Sequence, residues 1–249
     1  KDERIDDLEY KGLKIIQNQK GFCFGIDSVL ISDFAKDVKN NSVGVDLGTG
    51  TGIISILLSA KTKLSKIIGV EVQKDVADMA KRSVLLNGLQ NKIEIVNINL
   101  KDIKEKKNKE SLFARESFDF VVTNPPYKKL ETGKINENEN LYIARHEITA
   151  NLEDFMQVTN FLLKDKGKMY MVHRPERLVD IMQLMRKYKL EPKRIRFVYP
   201  SINKEPNLVL ISGVKNARPF LKIDKPLVVY ENGKYTDEIL KIYNKTSDL

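Results

Sequence analysis

The sequence predicts an α/β fold in which the strands of an open sheet alternate with helices. Three observations carry this. Short apolar runs suited to strands alternate with helically patterned segments from Val43 to Val214, with no linker between them. A glycine-rich turn, Gly48-Thr49-Gly50-Thr51-Gly52, joins the first of those strands to an apolar helix. Two consecutive prolines, Pro125 and Pro126, cut off a later strand, because each fixes φ and lacks a backbone donor.

Taken in order, residues 1–7 are polar and expected to fray. Residues 13–16 and 22–24 are expected to form a short hairpin over a cofactor pocket. Asp27 reads as the N-cap of a helix over 28–36. A strand at 43–46 leads through the glycine turn into a helix at 53–61, and a second strand follows at 66–71. The stripe Val76, Met79, Ala80, Val84, Leu85 marks a helix from Asp75, stopped by Asn87-Gly88. A strand at 92–98 precedes a polar loop over 101–116 with one helical turn. The run 118–123 is a buried strand. Residues 128–140 are charged and Asn-rich, either a lid beside a reactive site or a surface loop without a role. Helices at 152–163 and 177–188 flank a strand at 168–173. Residues 195–199 and 208–214 form a closing pair, and a tail strand at 227–230 runs into an Asn232-Gly233 turn. The whole reads as one domain, 1–249. An N-terminal hairpin and helix fill 1–42, a core fills 43–215 and an extension fills 216–249.

Composition bounds the function. A net charge of +9 favours a polyanionic partner, RNA first, although a coat of solvated lysines would give the same balance. A single cysteine, Cys23, excludes an internal disulfide and suits a reducing, cytoplasmic compartment. One cysteine and two histidines argue against structural zinc. The chain contains no apolar run long enough for a membrane span.

The chemistry concentrates in two places. Asn124-Pro125-Pro126-Tyr127 stands at a strand's C-terminal edge, where open α/β sheets bind ligands. The Asn124 oxygen and the Pro125 carbonyl can accept both protons of a planar NH2 group, and Tyr127 can stack on the ring that bears it. A strand-to-loop turn with a tyrosine lid would look the same. The second place is the glycine turn. It is neither a P-loop, since no Gly-Lys-Ser/Thr follows, nor a G-x-G-x-x-G. Asp46 precedes it on the strand and would repel a pyrophosphate, but would tolerate a cationic ligand with an amino-acid tail. Glu71 ends the next strand about 20 residues on, the spacing of an acid that grips a ribose. His173 is either a base or a strand-end histidine held by a carbonyl, and His146 is a solvated surface residue by default. Arg174 and Arg177 can contact phosphate, or Arg177 can pair with Asp180 along a helix. Lys187, Lys189, Lys193, Arg194 and Arg196 cluster near one end of the sheet as further phosphate candidates.

In this order and spacing, the stretch from Asp46 to Gly52, Glu71 and Asn124-Pro125-Pro126-Tyr127 resemble class I S-adenosylmethionine (SAM)-dependent methyltransferases that modify an amino group. Three further stretches, 21–30, 144–149 and 172–178, resemble the bacterial tRNA(Val) adenine-N6 methyltransferases, which act on the adenosine 3′ of the anticodon. The resemblance spans roughly Tyr10 to Tyr243. It implies a Rossmann-like, seven-stranded sheet, mostly parallel with an antiparallel last strand and helices on both faces. It implies SAM as cofactor and Asn124, Pro125, Pro126 and Tyr127 as the catalytic set. SAM would be held by Phe24 and Asp27, by Asp46, Gly48, Thr49, Gly50 and Gly52, by Glu71 and Val72, and by Asn99, Leu100 and Asn124. It also implies a tRNA partner, no metal, no membrane and a monomer. The chain departs from the family at Asn99, where an Asp is usual near the cofactor adenine; Asn still offers an acceptor. Other NH2 targets (an rRNA base, DNA adenine, a protein glutamine) and a SAM- or RNA-binding module without turnover are the alternatives. No DNA-recognition insert is visible, and the residues before Val43 are few for the helical N-terminal domain that glutamine enzymes carry.

Overall fold

The computed structural model describes residues 2–18, 25–104, 112–127 and 150–245. The centre of the main sheet is parallel: β3 (Val43–Leu47), β4 (Lys66–Glu71), β5 (Ile93–Asn97), β6 (Phe118–Thr123) and β7 (Leu163–His173). β9 (Leu208–Lys215) runs antiparallel between β7 and β8 (Leu190–Ser201). These seven strands, in the spatial order β5-β4-β3-β6-β7-β9-β8, match the expected sheet, with β9 its antiparallel member. The sheet then continues. β11 (Leu227–Glu231) joins β8 in parallel, β12 (Lys234–Tyr235) joins β11, and β10 (Lys222–Ile223) also pairs with β8, giving ten strands among the described residues. The tail strand gains its seat because Leu227 and Val229 are buried together with Ile239 and Ile242 of a last helix, α6 (Asp237–Ile242). The sequence reading had not placed that helix.

Central strands buried on both faces read as continuous apolar runs, and alternation along each strand divides the core in two. Phe120, Val122, Tyr170 and Val172 face one cluster with α1 (Ile26–Phe34), α2 (Ile53–Lys61), α3 (Lys74–Leu86) and α6. Val121, Met169 and Met171 face the other with α4 (Leu152–Leu162) and α5 (Leu178–Lys187). Helices therefore cover both faces. No helix among the described residues is long and apolar enough to cross a membrane.

Two expectations near the N-terminus are corrected. Residues 3–7 do not fray: they form β1 (Glu3–Asp7), the antiparallel partner of β2 (Lys14–Asn18). Residues 22–24, the expected partner, lie outside the described residues. β2 is held against α3: the Ile16 amide donates to Ser83 Oγ at 2.9 Å and the Lys14 amide to Asn87 Oδ1 at 2.9 Å. Asp27 is not an N-cap. α1 begins at Ile26 with Gly25 at the cap and no side-chain cap bond, so Asp27 sits inside the first turn.

Candidate active site

Strand register assembles the site along one sheet edge. Leu47 pairs with Val70 on one side and Thr123 on the other, and Thr123 Oγ1 donates to the Leu47 carbonyl at 2.8 Å. Gly48, Glu71 and Asn124 are therefore the next residues on three adjacent strands. With strands about 4.8 Å apart, the Asn124 and Glu71 backbones stand roughly 10 Å from each other.

The glycine half is built from buried acids and left-handed backbone. Gly48, Gly50 and Gly52 have φ of 72°, 57° and 91°, a region that favours glycine. Asp46 is wholly buried, and its Oδ2 accepts from Thr49 Oγ1 at 2.6 Å and Ser55 Oγ at 2.9 Å. Its Oδ1 is buried with no hydrogen-bond partner among the described residues. Burial pushes Asp46 up to about 6, against those two hydrogen bonds. Glu71 is 1 % exposed; its Oε2 accepts from the Gly50 amide at 3.1 Å and its Oε1 from the Gln73 amide at 2.9 Å. Burial raises it to about 7. A cleft beside it is lined by Gly48, Glu71, Val72, Asn99, Leu100 and Phe155. Asn99 spends its Oδ1 on the Lys101 amide at 3.0 Å, capping a 3-10 turn at Leu100–Lys104.

The Asn124 half is a three-residue cluster. Asn124 Nδ2 donates to Asp27 Oδ2 at 3.0 Å. The Tyr127 hydroxyl lies 2.7 Å from the same Oδ2 and 2.6 Å from Asn124 Oδ1. Burial, then the Asp27 charge, holds the Tyr127 phenol well above its usual value. The Arg174 guanidinium lies over the Tyr127 ring, 5.2 Å from its centroid, and the His173 ring meets it edge-on at 5.2 Å. Pro125 is buried and Pro126 half-buried.

His173 is not held by a carbonyl as expected. It is 1 % exposed, and its Nδ1 accepts from the Arg174 amide at 2.8 Å. Burial, then the Arg177 charge, lowers it to about 4, so it is neutral with the proton on Nε2. Arg177 pairs with Asp180 at 2.8 Å, its helical alternative. Phe24, His146 and the 128–140 segment lie outside the described residues. No group of three metal-ligating side chains occurs among the described residues. Sequence reasoning missed Ser55 and the Arg174–Tyr127 contact. Ser55 had a signal, a lone hydroxyl in the apolar run Ile53-Ile54-Ser55-Ile56-Leu57; the Arg174 contact crosses between strand ends and had none.

The methyltransferase small domain family model matches residues 25–188. A Porphyromonas gingivalis protein named tRNA1(Val) (adenine(37)-N6)-methyltransferase is 27 % identical over 208 residues, covering 82 % of this chain and 79 % of its own. A Flavobacterium johnsoniae protein of the same name is 22 % identical over 235 residues, covering 94 % and 96 %. Among solved structures, an Agrobacterium tumefaciens protein described as a predicted O-methyltransferase superposes with a TM-score of 0.69 at 20 % identity, covering 88 % of this chain and 95 % of that one. That likeness concerns the fold.

Proposed function

The chain belongs to the methyltransferase small domain family, and within it we propose that the protein methylates the N6 amine of an adenosine in tRNA. The adenosine is the one 3′ of the anticodon, position 37 of tRNA(Val), and the methyl donor is SAM. The reading is carried by one observation: an amide acceptor, Asn124 Oδ1, stands two strands from a buried carboxylate, Glu71, with the glycine turn between them. The names of the two relatives supply the nucleotide.

The residues present suit SAM. Asp46 Oδ1 is a buried acceptor with no hydrogen-bond partner among the described residues, and the glycines allow close backbone approach. Asp46, Gly48, Thr49, Gly50 and Gly52 would flank the methionine end, Glu71 would accept from the ribose hydroxyls, and Val72, Asn99 and Leu100 would border the adenine. Bound there, SAM supplies an electrophilic methyl group on a sulfonium. The chain's own part is orientation. An adenine amine is a weak nucleophile because its lone pair is delocalised into the ring. Acceptors at Asn124 Oδ1 and the Pro125 carbonyl hold its two protons and turn the lone pair out of the ring plane. A base extruded from its loop loses stacking, and a Tyr127 ring turned onto it would return about 1–3 kcal/mol. His173, neutral and with Nδ1 occupied, takes no part as a base.

The test gives purified protein and labelled SAM to total tRNA, duplex DNA and a glutamine-bearing protein extract in parallel. N6-methyladenosine in tRNA alone is the expected product. Label confined to DNA or protein would overturn the substrate class, and label nowhere would leave a binding module.

A further inference from the structure

We propose that Asp27 is a positioning residue: its carboxylate decides which way the Asn124 amide faces, and so makes Oδ1 the atom offered to the substrate amine. The proposal rests on the amine-methylation reading above.

An ionised carboxylate can only accept hydrogen bonds. Asp27 Oδ2 lies 3.0 Å from Asn124 Nδ2; a flipped amide would set oxygen against oxygen. The NH2 end must therefore face Asp27, and Oδ1 must face the other way. Asp27 is itself held. It is 7 % exposed, and its Oδ1 accepts from the Ser28 amide at 2.9 Å. Gly25 leaves it room, since a Cβ there would come within 2.8 Å of Asp27 Oδ1. Among the described residues, the other contact of Asn124 Nδ2 is Ser28 Oγ at 3.5 Å. A hydroxyl can donate or accept, so it selects neither orientation.

Tyr127 completes the device. Its one hydroxyl proton can go to Asp27 Oδ2 or to Asn124 Oδ1, at 2.7 and 2.6 Å, but not to both. While no amine is present, the phenol keeps Oδ1 paired. When an amine takes Oδ1, the proton has Asp27 to turn to. The four-residue motif thus lacks the part that aims it, which comes from 97 residues upstream.

The test compares wild type with the near-isosteric Asp27→Asn variant, whose side chain can also donate and so no longer dictates the amide's orientation. Thermal unfolding and SAM affinity should stay near wild type, with Kd within about threefold. The kcat on tRNA should fall about 10- to 100-fold, as expected of a misoriented group, with KM for tRNA little changed. The double variant Asp27→Asn/Asn124→Asp restores a donor–acceptor pair and an outward acceptor oxygen, and should regain about tenfold over the single variant. The Asn124 side-chain amide protons, followed by NMR without substrate, should shift upfield and exchange faster in Asp27→Asn. SAM binding weakened more than about tenfold would make Asp27 a cofactor ligand and overturn the proposal. So would a wild-type kcat, a double variant no better than the single one, or an unchanged Asn124 amide signal. If wild type leaves tRNA unmethylated, the substrate reading fails by itself, and the amide signal still decides the role of Asp27.

Discussion

Glu71 and Asp46 are both pushed up by burial, to about 7 and about 6, and the sign of the consequence can be worked out. A folded state that raises an acid's pKa binds the proton more tightly than the unfolded chain does. The stability this contributes is present below the unfolded values of 4.5 and 3.8 and is lost as pH rises through the folded values. The free protein should therefore lose part of its thermal stability between pH 5 and 8, and Glu71→Gln should flatten that loss in a melting series. In the proposed role, ribose hydroxyls donating to Glu71 would favour its ionised form. SAM affinity should rise about tenfold from pH 6 to 8, a dependence that calorimetry should find missing in Glu71→Gln. Glu71→Ala removes charge-assisted hydrogen bonds worth roughly 1.5–3 kcal/mol and should weaken SAM about 10- to 150-fold. Asn124→Ala should abolish turnover with SAM binding nearly intact. Tyr127→Phe should be mild and Tyr127→Ala severe if stacking dominates; equal losses in a turnover assay would assign the work to the hydroxyl.

At the scale of elements, β3 and β6 meet where a glycine is obligatory. A Cβ on Gly44 would lie 2.1 Å from Phe120 Cζ, inside the core between two strands. Overpacking of this kind costs about 1–3 kcal/mol. Gly44→Ala should lower Tm by roughly 3–10 °C in calorimetry, and adding Phe120→Leu should recover much of the loss. No recovery would mean the strain is in the backbone. The same pairing carries the row of proposed site residues, so a shifted β3–β6 register would separate Asn124 from Gly48 and should lower activity more than stability. β1 shows how a strand forms without an apolar pattern of its own: it pairs with β2, whose Ile15 is buried and whose Lys14 and Ile16 amides bond Asn87 and Ser83, and Arg82 binds both Glu3 oxygens at 2.7 and 2.8 Å.

Across the whole molecule, the net charge of +9 is less available than its total suggests. Among the described residues, three of the five clustered cations have carboxylate partners: Lys187 with Glu153, Arg194 with Asp224, and Arg196 with Glu238. Arg174 is different. It is exposed, its guanidinium bonds the Asn207 carbonyl at 2.9 Å with no carboxylate partner among the described residues, and it covers Tyr127. If it meets an RNA phosphate, Arg174→Ala should weaken tRNA binding and reduce the slope of log affinity against log salt by about 0.7–1, leaving SAM binding unchanged. An unchanged slope in a filter-binding series would move the phosphate contact elsewhere.

The sequence by itself determined whatever depends on neighbours along the chain. Apolar runs and helical stripes placed the strands and helices of the core, the left-handed glycines marked the turn, and the double proline marked the end of β6. These signals are local, because φ preference and side-chain period act over a few residues. Tertiary structure alone decided what joins distant segments: that β2 pairs with β1, that the tail adds strands beyond β8, that His173 turns its Nδ1 to a backbone amide, and that Asp27 serves Asn124 and Tyr127 instead of capping its own helix. A carboxylate in a first helical turn has the same local environment whether it caps or reaches across. What separates the two is a donor brought within 3.0 Å from 97 residues away, and only the tertiary packing of α1 onto the sheet and α2 brings it there.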